Sequence, residues 1–387
     1  MTSSPDALVV GGGVIGLAAA WRAAGRGLRV GVVDPAPARG ASWVAAGMLA
    51  PVSEVDYGEE ALVGLLVEAA RGWAGFADEL SAATGRDLGY RRCGTVEVAL
   101  DHSDRAVLDE LFELQRSLGL EAERLGPAEC RRLVSALAPG VRGGVWVAGD
   151  HQVDNRALLA ALLAAVEGAG VEIERAEVLE LERDASGRCR GVRLAEGERR
   201  AAGSVVVAAG CGSSLLGGVA PGTLPPVRPV KGHILRLQGD RDRPLLTTTV
   251  RGLVRGRPCY LVPRSDGSVV IGATVEEKGF DRAVQAGAVH ALLDDARQLV
   301  PGIDELTLTE SAAGLRPGSP DNGPFVGWTD VPGLAVATGH YRNGILLAPL
   351  TAAAVADLLT GSPLPSALGA FDATRHRAWS TGPVGAR

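Results

Sequence analysis

The sequence predicts an α/β fold: a doubly wound, Rossmann-like domain whose parallel sheet is assembled from three separate segments, with a mainly antiparallel β domain (an α+β insert) placed between them. Three observations predict it. The run Ala7-Leu-Val-Val-Gly-Gly-Gly-Val-Ile-Gly16 is followed by a second apolar run closed by Asp34, which is the order strand, tight turn, helix, strand. A fully apolar run of strand length, Gly203-Ser-Val-Val-Val-Ala-Ala-Gly210, returns far along the chain, and Leu334-Ala-Val-Ala-Thr-Gly339 returns once more. Between these returns the pattern changes to strand-length runs punctuated by glycine and proline turns.

Each element has a local reason. Gly11 allows a tight turn, Gly13 lets backbone approach a pyrophosphate, and Gly16 lets the helix pack close to the strand with its N-terminus facing phosphate charge. Asp34, 18 residues past Gly16, is placed to accept a hydrogen bond from a ribose hydroxyl. The fingerprint reads as a dinucleotide site and leaves NAD, NADP and FAD open. Helical periodicity covers about residues 60–83 and 104–118, with strands at 94–100 and 143–148. Asp154 or Asn155 caps a helix that gathers Leu158, Leu159, Leu162, Leu163 and Val166 on one face. Alternation over 171–183 and 190–194 reads as a β-meander, and Cys211-Gly-Ser-Ser214 as a second glycine turn leading into a helix. Pro225-Pro-Val-Arg-Pro229 reads as a linker. Strands follow at 232–237, 258–263 and 267–273, the last two joined by a turn at Ser265-Asp-Gly267. A helix near 281–299, a strand near 306–314 and a final helix over 344–359 complete the chain, and the tail from Ser380 is expected to fray.

Composition sets bounds on function. At 387 residues the chain exceeds what one hydrophobic core usually serves, so two domains are expected. The net charge is −6 and the basic residues are scattered, which argues against a nucleic-acid surface. Of the 39 basic residues only Lys231 and Lys278 are lysines, so an arginine by itself is weak evidence here. The cysteines Cys93, Cys130, Cys189, Cys211 and Cys259 are odd in number and form no CxxC pair, as for reduced thiols in a cytoplasmic protein. No metal-ligand spacing is visible. No basic leader precedes the first apolar run, and the stretch 345–359 carries Pro349 and Asp357, so it reads as a buried helix with no membrane span.

With those segments in view, the chain resembles the two-domain FAD-dependent amine oxidoreductases, the family of D-amino acid oxidase, sarcosine oxidase and glycine oxidase. The resemblance spans almost the whole chain. It rests on the fingerprint, on Ser42-Trp-Val-Ala-Ala-Gly-Met-Leu-Ala50, on Ala208-Ala-Gly210, on Tyr260-Leu-Val-Pro-Arg264 with Val270-Ile-Gly-Ala-Thr274, on Gly314-Leu-Arg-Pro-Gly318 and on Gly339-His-Tyr-Arg-Asn-Gly-Ile-Leu-Leu-Ala-Pro349. The last two are most similar to the glycine oxidases of the thiazole branch of thiamine synthesis. The resemblance implies an FAD-binding domain in segments 1–85, 146–226 and 317–379, a substrate domain in segments 86–145 and 227–316, and a flexible tail at 380–387.

What the resemblance implies for the site follows motif by motif. Non-covalent FAD would meet Val14 and Ile15 at the pyrophosphate and Asp34 and Pro35 at the ribose, with Ala41, Ser42, Ala46, Gly47 and Met48 passing close to the pyrophosphate and flavin. Val178 matches an adenine-side backbone contact, and His340, Tyr341, Arg342, Asn343, Gly344, Ile345 and Leu346 would bracket the ring. A helix starting at Asn343-Gly344 points its positive end at whatever lies beyond the turn, which stabilises an anionic reduced ring. Arg316 matches the arginine that pairs with an amino-acid carboxylate, Tyr260 a hydroxyl reaching the same group and Arg342 a second arginine near it. His340 is expected to act through its backbone and Lys231 in a structural role at a strand edge. Pro258 stands where some relatives carry a histidine and Val275 where a methionine lines the pocket, and no cysteine stands near 315–321, where covalent relatives place theirs.

The implied reaction is oxidation of a small amino acid, glycine first, by hydride transfer from Cα to flavin N5, giving glyoxylate, ammonia and, with dioxygen as acceptor, hydrogen peroxide. Sarcosine or D-amino acid oxidation, a dehydrogenase with another acceptor, and an NAD(P)-dependent dehydrogenase are the competing expectations. The resemblance also implies a homo-oligomer.

Overall fold

The computed structural model describes residues 4–377. Its first sheet has six strands in the order Phe325–Trp328, Leu334–Thr338, Ser204–Val207, Ala7–Val10, Val30–Val33 and Glu172–Glu174. Neighbours run parallel except at the antiparallel edge pair Phe325–Trp328 with Leu334–Thr338. Their near-continuous valine runs suit a sheet covered on both faces. On one side Val9, Val32, Val206 and Ala335 pack with the helices Val14–Gly25, Asn155–Gly168 and Gly344–Leu359. On the other, Leu8, Val10 and Val207 pack with Val178, Leu181 and Val192 of a three-stranded meander, Val178–Arg183, Cys189–Leu194 and Arg199–Ala201. Tyr341–Leu359 is long and apolar enough by composition to cross a bilayer, and 67% of that window is buried inside the protein. Its apolar side chains belong to the core.

The second sheet has eight strands in the order Thr307–Gly318, Arg228–Gln238, Ser268–Gly272, Arg257–Pro263, Thr249–Val254, Thr95–Ala99, Gly144–Val147 and Glu123–Leu125. All pairs are antiparallel except Thr249–Val254 with Thr95–Ala99. The period of two decides which side chains face where. Val98, Leu235, Val250, Leu261 and Ile271 pack under the helix Ala286–Leu299, while Ile234, Val262 and Val270 turn to the opposite face with Tyr260.

Several sequence expectations shift. The periodicity over 60–83 breaks at Gly72 into helices Glu60–Arg71 and Trp73–Thr84. The first strand of the expected meander, Glu172–Glu174, joins the parallel sheet beside Val30–Val33, so the meander begins at Val178. The turn at Cys211 leads only into a short 3-10 helix, Gly210–Leu215. The proline linker is partly strand: Pro229 pairs opposite Pro317, and neither proline has an N–H to donate. Thr249–Val254 was not anticipated, and the helix expected from 281 starts at Ala286. Lys231 is not at a strand edge, since its strand lies between Ser268–Gly272 and Thr307–Gly318.

Candidate active site

A cavity of about 970 Å³ separates the two sheets and is lined from both. One end is the glycine turn. Gly11 has φ +111°, and a Cβ there would overlap the Ala208 carbonyl, as one on Gly16 would overlap the carbonyl of Gly11. The helix Val14–Gly25 has no side-chain cap on its N-terminus, so its first N–H groups are left for a ligand, apart from that of Val14, which donates to Ser42 Oγ (3.2 Å). Asn155 donates to the carbonyls of Ser42 (2.8 Å) and Trp43 (2.9 Å) and fixes that turn. Asp34 accepts from the Gly12 N–H (2.6 Å) and the Ala36 N–H (2.7 Å), so it stiffens the turn and keeps only its remaining lone pairs for a ribose.

The far end is the second return. Gly339 has φ +74° and Tyr341 φ +46°, and the helix Gly344–Leu359 again starts without a side-chain cap. Two uncapped helix N-termini thus open on one elongated cavity. That arrangement fits a ligand with an anionic middle and an electron-accepting ring, which is the shape and charge of FAD.

Most of the expected cofactor residues meet here. Gly13, Val14, Ile15, Asp34, Ala41 and Ser42 line one stretch of the wall. Ala46, Gly47, Met48, Gly344 and Ile345 line the next, with His340, Tyr341 and Arg342 beside them. Gly47, at φ +74°, sits where a Cβ would overlap the Val153 carbonyl. Gly11, Gly16 and Pro35 are outside the lining, and Asn343 is buried behind it. The Leu346 carbonyl accepts from Trp73 Nε1 (2.8 Å), and Val178 packs in the core with Val10 and Val33. His340 is buried with Nε2 against Thr351 Oγ1 (3.0 Å), and burial pushes its imidazole down to about 3, so it is neutral.

Tyr260 and Arg316 converge across the second sheet because two glycines clear its floor. A Cβ on Gly272 would meet the Tyr260 hydroxyl, and one on Gly232 would meet the Arg316 guanidinium. Arg316 donates to the Thr274 carbonyl (3.1 Å), and among the described residues no carboxylate forms an ion pair with it. Burial pushes the Tyr260 phenol up to about 12, with Arg316 opposing, so the hydroxyl is a neutral donor. Behind Arg316, Thr274 Oγ1 is held by His233 Nδ1 (2.7 Å) and Glu276 (3.0 Å). His233 Nε2 reaches Gln285 (2.9 Å), which also accepts from fully buried Lys231; the ammonium donates in addition to Asp281 (2.6 Å) and the Ala283 carbonyl (2.6 Å). These bonds give both ring nitrogens of His233 a partner.

Arg342 is placed differently from Arg316. It pairs with Glu59 and donates to the Glu54 carbonyl (3.0 Å), so its charge is already matched and it ties down the strap over residues 54–59. Pro258 and Val275 both reach the lining, and Val275 is 62% exposed at the mouth. Cys211 also lines the cavity, donating its S–H to the Leu315 carbonyl (3.5 Å), and burial pushes the thiol up to about 12. Sequence reasoning missed Glu54, Glu97 and Arg251, whose paired side chains form the wall beyond Tyr260. The available signal was an acid at 97 within the apolar run Thr-Val-Glu-Val-Ala.

The chain is similar to known proteins over almost its whole length. Glycine oxidase of Geobacillus kaustophilus is 37% identical over 380 residues, covering 97% of this chain and 98% of the relative. The bifunctional protein ThiO/ThiG of a Nostoc species is 33% identical over 96% of this chain, which spans 55% of that longer protein. The crystal structure of the Geobacillus glycine oxidase superposes with a TM-score of 0.88 at 36% identity, covering 97% of this chain and all of the other. Residues 6–358 match the DAO family model, described as FAD dependent oxidoreductase, and the chain belongs to that family.

Proposed function

We propose that this flavoprotein oxidises glycine to glyoxylate and ammonia with dioxygen as electron acceptor. One observation carries the reading: Arg316, without an acid partner among the described residues, lies in the same cavity as the neutral Tyr260 hydroxyl, as a carboxylate clamp requires. The guanidinium offers two parallel donors to the substrate carboxylate and Tyr260 offers a third. So held, the substrate presents its Cα–H toward the wall formed by Ala46, Gly47, Met48, Gly344 and Ile345. Those residues, with the glycine turn at Gly13 and Val14, would hold FAD, which when bound would supply the hydride acceptor and be reoxidised by dioxygen. The sum is glycine, dioxygen and water giving glyoxylate, ammonia and hydrogen peroxide. No side chain need remove the Cα proton, in keeping with a buried, neutral His340.

The relatives named glycine oxidase support the choice of substrate, and those named ThiO/ThiG support a place in supplying thiamine thiazole synthesis. We assign residues 1–85, 146–226 and 317–379 to the cofactor domain and 86–145 and 227–316 to the substrate domain, in keeping with the two sheets; 378–387 lie outside the described residues. The 145/146 boundary falls within the strand Gly144–Val147 and the 316/317 boundary within Thr307–Gly318, both of the second sheet. A cytoplasmic homo-oligomer with non-covalent FAD completes the reading, supported by five free cysteines and by Cys211 being held as a thiol. A peroxide assay over glycine, sarcosine and D-alanine tests it; glycine turnover with peroxide release is expected, and no turnover of glycine by the FAD-loaded protein would overturn it. Light scattering of the same preparation reads the oligomer, and acid precipitation that leaves all the FAD in solution reads the non-covalent bond.

A further inference from the structure

Beyond Tyr260 the cavity ends in a charged row that the reaction does not use. Cross-strand register sets Arg251 opposite Tyr260 on one side and opposite Glu97 on the other. Facing residues share a face of the sheet and adjacent strands are about 4.8 Å apart, so the row extends the clamp by one and then two strand spacings. Arg251 Nε donates to Glu97 (3.1 Å) and its Nη1 to Glu54 (3.0 Å), and Nη1 lies 3.9 Å from Met48 Sδ. All three charged side chains line the cavity, and they are largely buried, at 16, 12 and 10% exposure for Arg251, Glu54 and Glu97. Leu108, Leu111 and Leu253, whose side chains offer no donor, also line the cavity, as do Ser53, Tyr57 and Arg282.

A guanidinium one strand from the clamp would attract a second carboxylate if it stood alone. Here both of its carboxylate neighbours are within hydrogen-bonding distance. Burial raises the Glu97 carboxyl and Arg251 opposes that. With Glu97 ionised the trio carries a net negative charge, and with Glu97 protonated it carries none. Neither state leaves positive charge for an anion.

We propose that Glu54 and Glu97 mask Arg251, so that the cavity takes amines bearing one carboxylate and turns away those bearing two, with Arg251 a latent second carboxylate site. The inference rests on the reading of Arg316 and Tyr260 as the clamp for the first carboxylate. Iminodiacetate is the probe, because one carboxylate can occupy the clamp while the other extends from the nitrogen toward Arg251. Sarcosine is the control, a secondary amine without the second charge.

The experiment compares kcat/KM for iminodiacetate and sarcosine in the FAD-loaded wild type, in E54Q, in E54Q/E97Q and in E54Q/E97Q/R251Q. Glutamine keeps the shape and one acceptor oxygen, so the guanidinium stays in place while its masking charge is removed. The wild type should favour sarcosine by a hundredfold or more, as expected for like charges brought together out of water. The double variant should move the ratio at least tenfold toward iminodiacetate, and R251Q added to it should abolish the gain. Perturbation of the flavin spectrum by iminodiacetate reads the same order of binding without turnover. If the double variant does not fold, E54Q alone must move the ratio and the spectral titration in that direction. A wild type that takes both probes alike, or a ratio unmoved by removing the acids, overturns the proposal. Failure of the clamp reading would appear separately, as wild-type sarcosine turnover in R316A.

Discussion

Replacing Arg316 with alanine is the most informative perturbation of the clamp. In the structure the guanidinium makes one hydrogen bond, to the Thr274 carbonyl, and no ion pair among the described residues. Its removal therefore strands no buried carboxylate, and the cost to folding should stay within about 1 kcal/mol. The substrate loses far more. Two charge-assisted bonds from a planar fork to a carboxylate in a partly desolvated cavity contribute about 3–4 kcal/mol, roughly a hundred- to a thousandfold in kcat/KM for glycine. Because this contact holds both ground and transition states, the loss should fall mainly on KM. FAD should stay bound, since the glycine turn and the wall at Ala46, Gly47 and Met48 do not involve Arg316. Arg316→Lys, which keeps the charge and loses the fork, should recover about tenfold of the loss. Steady-state kinetics on preparations of matched flavin content provide the assay, and an Arg316→Ala enzyme within threefold of wild type would refute the clamp.

Other expectations bear on separate links. Tyr260→Phe removes one neutral donor and should cost about 1–1.5 kcal/mol, roughly a tenfold rise in KM for glycine with the flavin spectrum unchanged. Gly16→Ala would drive a Cβ into the Gly11 carbonyl, so the purified variant should lack the yellow cofactor; a normally loaded, active variant would contradict the assigned cradle. Asp150 is fully buried, accepting from the N–H groups of Val52 (3.1 Å) and Ser53 (2.7 Å), and burial pushes its carboxyl from 3.8 up to about 7. A raised folded-state value means that this group's contribution is complete below about pH 4 and is lost as pH rises through 7, up to about 4 kcal/mol in all. Holoprotein melts should gain stability between pH 8 and 5.5 relative to Asp150→Asn, and parallel pH profiles for the two proteins would count against this.

The fold was readable where local chemistry and tertiary role coincide. Ala7–Val10, Ser204–Val207 and Leu334–Thr338 are apolar on both faces because helices and a small sheet cover both, and Asp154 caps its helix by accepting from the Arg156 and Ala157 N–H groups (2.8 and 3.1 Å). Thr249–Val254 escaped notice because Arg251 and Gly252 interrupt its apolar pattern, the former turned to the cavity and the latter under Leu299. Glu172–Glu174 reads as an exposed alternating strand, and only pairing with Val30–Val33 places it in the parallel sheet. Arg316 and Tyr260, the residues of the proposed clamp, are singled out by their motifs. Their convergence depends on Gly232 and Gly272, on strands that become neighbours only once the sheet forms. The Glu54–Arg251–Glu97 row was invisible for the same reason, since Arg251 and Glu97 meet through strand register and Glu54 reaches Arg251 from a separate turn.

In the proposed reaction glycine, held by Arg316 and Tyr260, delivers its Cα hydride to FAD. The direct test is anaerobic addition of glycine to the purified, FAD-loaded protein, with the flavin absorbance followed in a stopped-flow spectrometer. The yellow absorbance should bleach at a rate that saturates with glycine and return on admitting oxygen, with one peroxide and one glyoxylate formed per turnover. A flavin that stays oxidised under saturating glycine would contradict the account.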